Sequence, residues 1–329
     1  MLFLLLSILA GCGGGNSTQN PPPPTVGQIY VARATFGEVL RFRAGDNGNV
    51  APQQSFNSQA HPGSMCIDVA HNRIGATSVD GAQVIVLLMD NVSSFAGTIR
   101  MISGAATTMR GPSACALDSN LDLVYVTDSG SIAGGSSILV FGPASTALGN
   151  IAPSRAILLP YTAISIALDP ANNRLFVADA TNNVIDVYDS ASTLNGAVTP
   201  SRTIGGPQTQ LTQVGPIALD PSGHVVVVSP FNGSSPTVRV FSNAATLNGD
   251  VAPSAAFSPS VTGITQIAVA SAGDLYAVDA FHIMAFSNVF SASGTLAPVR
   301  IIAGSNTQLD STFPGVPPLV DSIVIDPTR

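Results

Sequence analysis

The sequence predicts an all-β chain closed into a six-bladed β-propeller with four antiparallel strands per blade. Three observations carry that expectation. One element recurs with a period of about 50 residues. A second element recurs between the copies of the first. The two ends of the chain read as complementary pieces of one unit.

The first element is plainest in ACALDSNLDLVYVTDSG (114–130), IALDPANNRLFVADATNNVIDVYD (166–189) and IALDPSGHVVVVS (217–229). Aligning them places Asp118, Asp169 and Asp220 in one column. Asp68 joins it upstream, and Ala270 and Asp326 downstream. The second element appears as NGNVAPQQSF (47–56), GNIAPSRAI (149–157), NGAVTPSRTI (195–204), NGDVAPSAAF (248–257) and GTLAPVRII (294–302). A shortened form, GTIRMI (97–102), fills the remaining unit. Six copies of each make six blades.

Within a unit, strand a (SIALD) is apolar throughout, as an innermost strand covered on both faces should be. An Asp-Pro-x-Asn/Gly turn follows, its Asp and Pro pre-setting the bend. Strand b is RLFVAD and strand c is NVIDVYD. A helical turn such as SASTLNG comes next, with Asn-Gly expected to close its C-terminal end. Strand d, VTPSRTI, carries Pro52, Pro153, Pro200, Pro253 or Pro298. Proline removes a ladder donor, so it marks this strand as the outermost, where the same loss discourages pairing with another molecule. GQIYVARA (27–34) matches strand b with no strand a before it. DSIVIDPTR (321–329) matches strand a and its turn. The C-terminal strand is therefore expected to complete the first blade and latch the ring, with the propeller occupying 27–329.

VADATNNVIDVYD (177–189), preceded by IALDP (166–170), resembles the NHL-repeat class of bacterial propellers, and is similar to the broader set of secreted propeller lipoproteins. The likeness covers about residues 27–329 and is clearest in blades 3 to 5. It implies a fold and a binding surface, not a reaction. The opening MLFLLLSILAGC is too short to span a bilayer as a helix and looks like an export signal. Leu9-Ala10-Gly11-Cys12 resembles the bacterial lipobox, which implies cleavage after residue 11 and lipidation of Cys12, although no positive charge precedes the apolar run. GGGNSTQNPPPPT (13–25) then reads as a tether, flexible at first and stiffened by Pro21 to Pro24. The expected address is the extracytoplasmic face of a bacterial envelope. Gly13 in place of Asp points weakly to the outer membrane.

Composition narrows function further. Charged residues make up 9% and the net charge is −7, with Glu38 the single Glu and every basic residue an Arg. That excludes a nucleic-acid partner, which needs a basic face. With no Trp and 6% aromatics, a stacking platform for bases or sugars is absent.

In a propeller the b–c loops and d–a connections share one face. The column ending strand b reads Arg33, Ser78, Asp128, Asp179, Ser229 and Asp279 around the channel mouth. Such a ring could hold a polar ligand or, through Asp128, Asp179 and Asp279, a cation such as Ca²⁺ or Zn²⁺. The plainer reading is that these side chains cap their loops by accepting backbone N–H bonds. Blade 6 meets blade 1 where Arg33, Asp279, His282 and His61 would gather beside the long connection 303–320. The Asp68, Asp118, Asp169, Asp220 and Asp326 column is read as turn chemistry, and His71 and His224 as solvent-facing turn residues. No nucleophile elbow or phosphate-cradling loop occurs. The leading reading is a binding or scaffolding module without catalytic residues. Its rival is a metal-dependent hydrolase or lyase of the lactonase-like propeller type, although Glu38 does not match that family's carboxylate position. Cys66 and Cys115 lie on strand a of adjacent blades, one register step apart. Free buried thiols are the leading expectation, with a disulfide, permitted by export, as the alternative.

Overall fold

The computed structural model describes residues 27–80, 83–94, 96–132, 135–231, 235–270, 273–309 and 320–329. Cys12, the signal, the tether and positions 310–319 of the last connection lie outside them. The described chain forms six sheets arranged as a ring. Each has four antiparallel strands, in spatial order a-b-c-d from the centre outward.

The inner strands are Ser322–Asp326 in blade 1, then Met65–Asp68, Pro112–Asp118, Ala163–Asp169, Ile217–Leu219 and Gln266–Val269 in blades 2 to 6. The ring closes as expected. Ser322–Asp326 lies antiparallel to Gln28–Arg33, with Gln28 opposite Asp326 and Ala32 opposite Ser322. An apolar core fills each blade-to-blade interface, and the junction of blades 6 and 1 is no exception. There Ile29, Val31 and Phe42 pack with Tyr276, Val278 and Ile283. A chain that merely stacked would leave one such face bare.

Strand d departs from expectation. It begins at Gln54, Arg155, Arg202, Ala255 and Arg300, so Pro52, Pro153, Pro200, Pro253 and Pro298 stand two residues ahead of it, in the connection. The first ladder donor is the residue after each proline: Gln53, Ser154, Ser201, Ser254 or Val299 donates its N–H to strand c. Proline therefore directs the entry into the strand without costing it a bond.

Nor does Asn-Gly close a helical turn. The turn itself exists, as Ala191–Thr193 in blade 4, but Leu194 is already extended and Gly196 has entered a new pairing. Gly196–Ala197 runs parallel to strand d of blade 3, and Ser293–Leu296 runs parallel to strand d of blade 5. Single parallel bridges join Gly48 to Ile302, Gly149 to Ile102 and Gly249 to Ile204. Each of the five full-length copies of the motif thus reaches back to pair with the outer edge of the preceding blade. Gly249 donates to Thr203 O at 2.7 Å and accepts from the Gly205 N–H at 3.1 Å. Asn248 accepts the Thr203 N–H, and Asp250 accepts the Gln208 N–H. The glycine is needed for its backbone: Gly249 sits at φ +80°, and an added Cβ would meet nothing within 4 Å.

Cys66 and Cys115 form a disulfide between the inner strands of blades 2 and 3, with Cα atoms 5.6 Å apart, which corrects the expectation of free thiols. The neighbouring strand b makes the room. Opposite the small residues Ala116, Ala167, Ala218, Ala268 and Val324 stand Tyr125, Phe176, Val226, Tyr276 and Tyr30. Opposite Cys66 stands Gly75. A Cβ there would lie 2.8 Å from Cys66 Sγ and 3.7 Å from Cys115 Sγ.

Candidate functional site

The inner strands bound a central channel of about 200 Å³. Its wall is mostly aliphatic: Ile67, Leu117, Leu168, Leu219, Val269 and Ile325 are among its lining residues, and no carboxylate is. The channel thus carries no charged side chain, but polar surface, to which Ser64, Ser165 and Gln266 contribute, is exposed beside the aliphatic groups.

The ring at the ends of strand b sits at or below the surface, and its carboxylates accept backbone N–H groups, Asp179 and Asp279 from their own loop and Asp128 from the connection that enters blade 3. Asp128 Oδ1 accepts the N–H groups of Arg110 and Gly111 at 2.8 and 2.7 Å. Asp179 Oδ1 accepts from Thr181 and Asn182, and its Oδ2 from the Asn182 carboxamide. Asp279 Oδ1 accepts from Phe281 and His282, and the same carboxylate meets His282 Nδ1 at 2.8 Å. Ser229 bridges both backbone groups of Thr212. Arg33 pairs with Glu38 at 2.9 Å and lies 4.1 Å over the Phe36 ring. Burial pulls its guanidinium below the ordinary arginine value, with Glu38 opposing. Two oxygens in the ring keep no bond among the described residues: Asp128 Oδ2 and Ser78 Oγ, both buried.

Where blade 6 meets blade 1, Asp279 and His282 bond each other within one loop, Arg33 pairs with Glu38, and His61 lines a groove with Thr35, Thr77 and Val79. No three His, Cys, Asp or Glu side chains gather to hold a metal ion among the described residues. On the opposite face Asp68, Asp118, Asp169, Asp220 and Asp326 accept N–H bonds from the turns they open. His71 is half exposed against Asp68. His224 is not a solvent-facing residue: it bonds Asp220 and stacks on Phe290 with ring centroids 4.0 Å apart.

Sequence reasoning missed the apolar side of the loop face. Phe36, Val79 and Phe281 are 38%, 55% and 39% exposed; Phe36 and Phe281 lie in the b–c connections of blades 1 and 6, and Val79 near the end of strand b of blade 2, so they come from three successive blades. Beside them a groove of about 400 Å³ is lined by Thr35, His61, Ser64, Thr77, Val79 and Ser113, among others. The available signal was a large apolar residue, Phe36 or Phe281, in a short loop where polar turn formers are the rule.

No protein-family model and no curated protein matches the chain. Solved structures do. A chain in the crystal structure of a nidogen/laminin complex matches 92% of this chain and 99% of its own length, at 12% identity and a TM-score of 0.54. A functionally unknown protein from Desulfotomaculum acetoxidans DSM 771 matches 85% of this chain and 96% of its own, at 13% identity and a TM-score of 0.55. At such identities the likeness shows the fold alone.

Proposed function

We propose that this protein is an extracytoplasmic, lipid-anchored binding module of the NHL-like propeller kind. Cys12 is its anchor, and the b–c loop face of blades 6, 1 and 2 is its docking surface for another protein. The observation that carries the surface is the set of exposed Phe281 and Phe36 on the b–c loops of blades 6 and 1 and Val79 at the end of strand b of blade 2, with Arg33, His61, Asp279 and His282 on the same face. Apolar side chains grouped on a rigid face, with polar neighbours to fix orientation, are what protein contacts use. The Cys66–Cys115 disulfide supports export, because such bonds persist in oxidising compartments. Loop carboxylates already engaged by backbone amides, and a channel lined by no carboxylate, favour binding over hydrolysis. The nidogen/laminin complex is a case of this fold in a protein assembly.

Two measurements test the reading separately. Detergent fractionation of the producing cell should move the protein from the membrane to the soluble fraction on Cys12→Ser; unchanged partition removes the anchor. A photo-crosslinking residue at Phe36 or Phe281 should give discrete protein adducts that one at Leu121, on the opposite face, does not. Equal labelling at all three removes the docking face.

A further inference from the structure

Four arginines are buried among the described residues: Arg33, Arg73, Arg100 and Arg239. Three of them hold a carboxylate. Arg33 pairs with Glu38 at 2.9 Å, and Arg73 and Arg100 share Asp90 at 2.7 Å each. Arg239 is 7% exposed and pairs with no acid among the described residues. The group that accepts from it there is the Ser229 carbonyl, which takes Nη1, and its Nε is buried without a bond. Burial alone pulls its guanidinium below the ordinary arginine value, with no charge opposing.

The repeat makes the exception plainer. Arg239 lies on strand c of blade 5, Val238–Phe241, opposite Val227 of strand b. The same register position in blades 1, 2, 3, 4 and 6 is held by Leu40, Leu87, Leu139, Asp186 and Met284. The four apolar members pack into the interface with the preceding blade. Asp186 stands opposite Thr203 of strand d, whose hydroxyl donates to it at 2.6 Å. Arg239 stands opposite Ala256, which offers no side-chain acceptor. It shares its side of the sheet with Val227 and Phe241, both in the apolar interface of blades 4 and 5. The connection entering blade 5, 205–216, and its b–c loop, 230–237, contain no Asp or Glu. In blade 3 the matching pair, Leu139 and Ala156, lines a groove of about 500 Å³ together with Thr108 and Met109 of the entering connection. A cation taken from water without a counter-charge is costly, and such groups are as a rule paired.

We infer that Arg239 is the binding residue of an oxyanion site where blades 4 and 5 meet, its ligand a carboxylate or a phosphate held on the guanidinium edge formed by Nε and Nη2. With Nη1 committed to Ser229, that edge is the one left to a ligand. It presents two parallel N–H groups at the spacing of two oxygens on one carbon or phosphorus. The chain uses such a fork elsewhere: Arg202 holds both Asp189 oxygens at 2.8 Å. The site lies apart from the docking surface on blades 6, 1 and 2 and does not depend on it.

Thermal unfolding of the full-length chain tests it, with sodium acetate or inorganic phosphate replacing chloride at constant ionic strength. A ligand of the folded state raises the midpoint as its concentration rises. At least one of the two anions should do so, acetate reporting a carboxylate site and phosphate a phosphate site. Arg239→Leu installs the residue that blades 1, 2 and 3 carry at this position. Its midpoint in chloride should be no lower than that of the unaltered chain, because a buried unpaired charge is gone. Its midpoint should not respond specifically to either anion, so it also measures any general salt effect. Arg239→Lys keeps the charge without the fork and should need at least about tenfold more anion for the same rise. Equal rises in the unaltered chain and Arg239→Leu overturn the inference, and so does an undiminished response in Arg239→Lys. If the leucine variant does not unfold cooperatively, the lysine comparison decides alone.

Discussion

Gly75 is the residue whose replacement discriminates most sharply between packing and bridging in this ring. The disulfide closes a segment of 49 residues. In the chain-entropy account that restricts the unfolded state by roughly 4 kcal/mol. Cys66→Ala with Cys115→Ala should therefore lower the guanidinium midpoint by an amount equivalent to roughly 4 kcal/mol. Gly75→Val alone should be destructive, because its Cβ would sit 2.8 Å from Cys66 Sγ. In the doubly alanine-substituted protein the same Gly75→Val should be beneficial. It recreates the pairing that Ala218 and Val226 make in blade 5, and burying a valine contributes roughly 1.5 kcal/mol or more. The substitution thus changes sign with background, a coupling that double-mutant analysis reads directly. Circular dichroism during guanidinium unfolding gives the energies, and thiol titration of the denatured, unreduced protein reports the bond. Equal effects of Gly75→Val in both backgrounds would refute the reasoning.

Removing residues 322–329 takes strand a from blade 1 and bares the cores on both sides; loss of cooperative thermal unfolding is expected, and a retained sharp transition would contradict closure by that strand. Gly249→Ala should cost about 1 kcal/mol, for its φ of +80° alone. Gly206→Ala should cost clearly more, since its Cβ would also meet the Asp250 carboxylate carbon at 2.6 Å; equal melting shifts would show that the clasp is not closely packed. Asp186 is buried, and burial pushes its carboxyl above the ordinary value while the Thr203 hydroxyl, 2.6 Å away, opposes the shift. A raised carboxyl binds its proton more tightly in the folded state than in the unfolded one, so stability falls as pH rises above the unfolded value of about 3.9, until the native value is passed. Asp186→Asn should flatten that fall in denaturation series across the acid range, and an unchanged slope would dissociate the slope from Asp186.

The blade count, the four strands and the latch were legible in the sequence because each follows from a pattern the chain repeats. The Asp118, Asp169 and Asp220 column fixed the period, and DSIVIDPTR could only be a strand a. The prolines misled, because a repeated residue marks a phase without saying whether it lies inside a strand or just before it. The candidate ring was legible as a column but not as chemistry. Asp179 and Asp279 bind amides of their own loop while Asp128 binds those of the connection entering its blade, and a carboxylate's partner is a matter of a few ångströms that spacing does not encode. Phe36, Val79 and Phe281 escaped notice because they share no column position.

The sequence alone determined the ring, since periodicity and the phase of the two ends are one-dimensional properties. Only the tertiary structure decided what passes between blades: the Gly-centred clasps and the Cys66–Cys115 bond with Gly75 behind it. Those depend on which groups of neighbouring units face one another. Repeats fix the content of each blade, whereas contact between blades is fixed by distance in three dimensions.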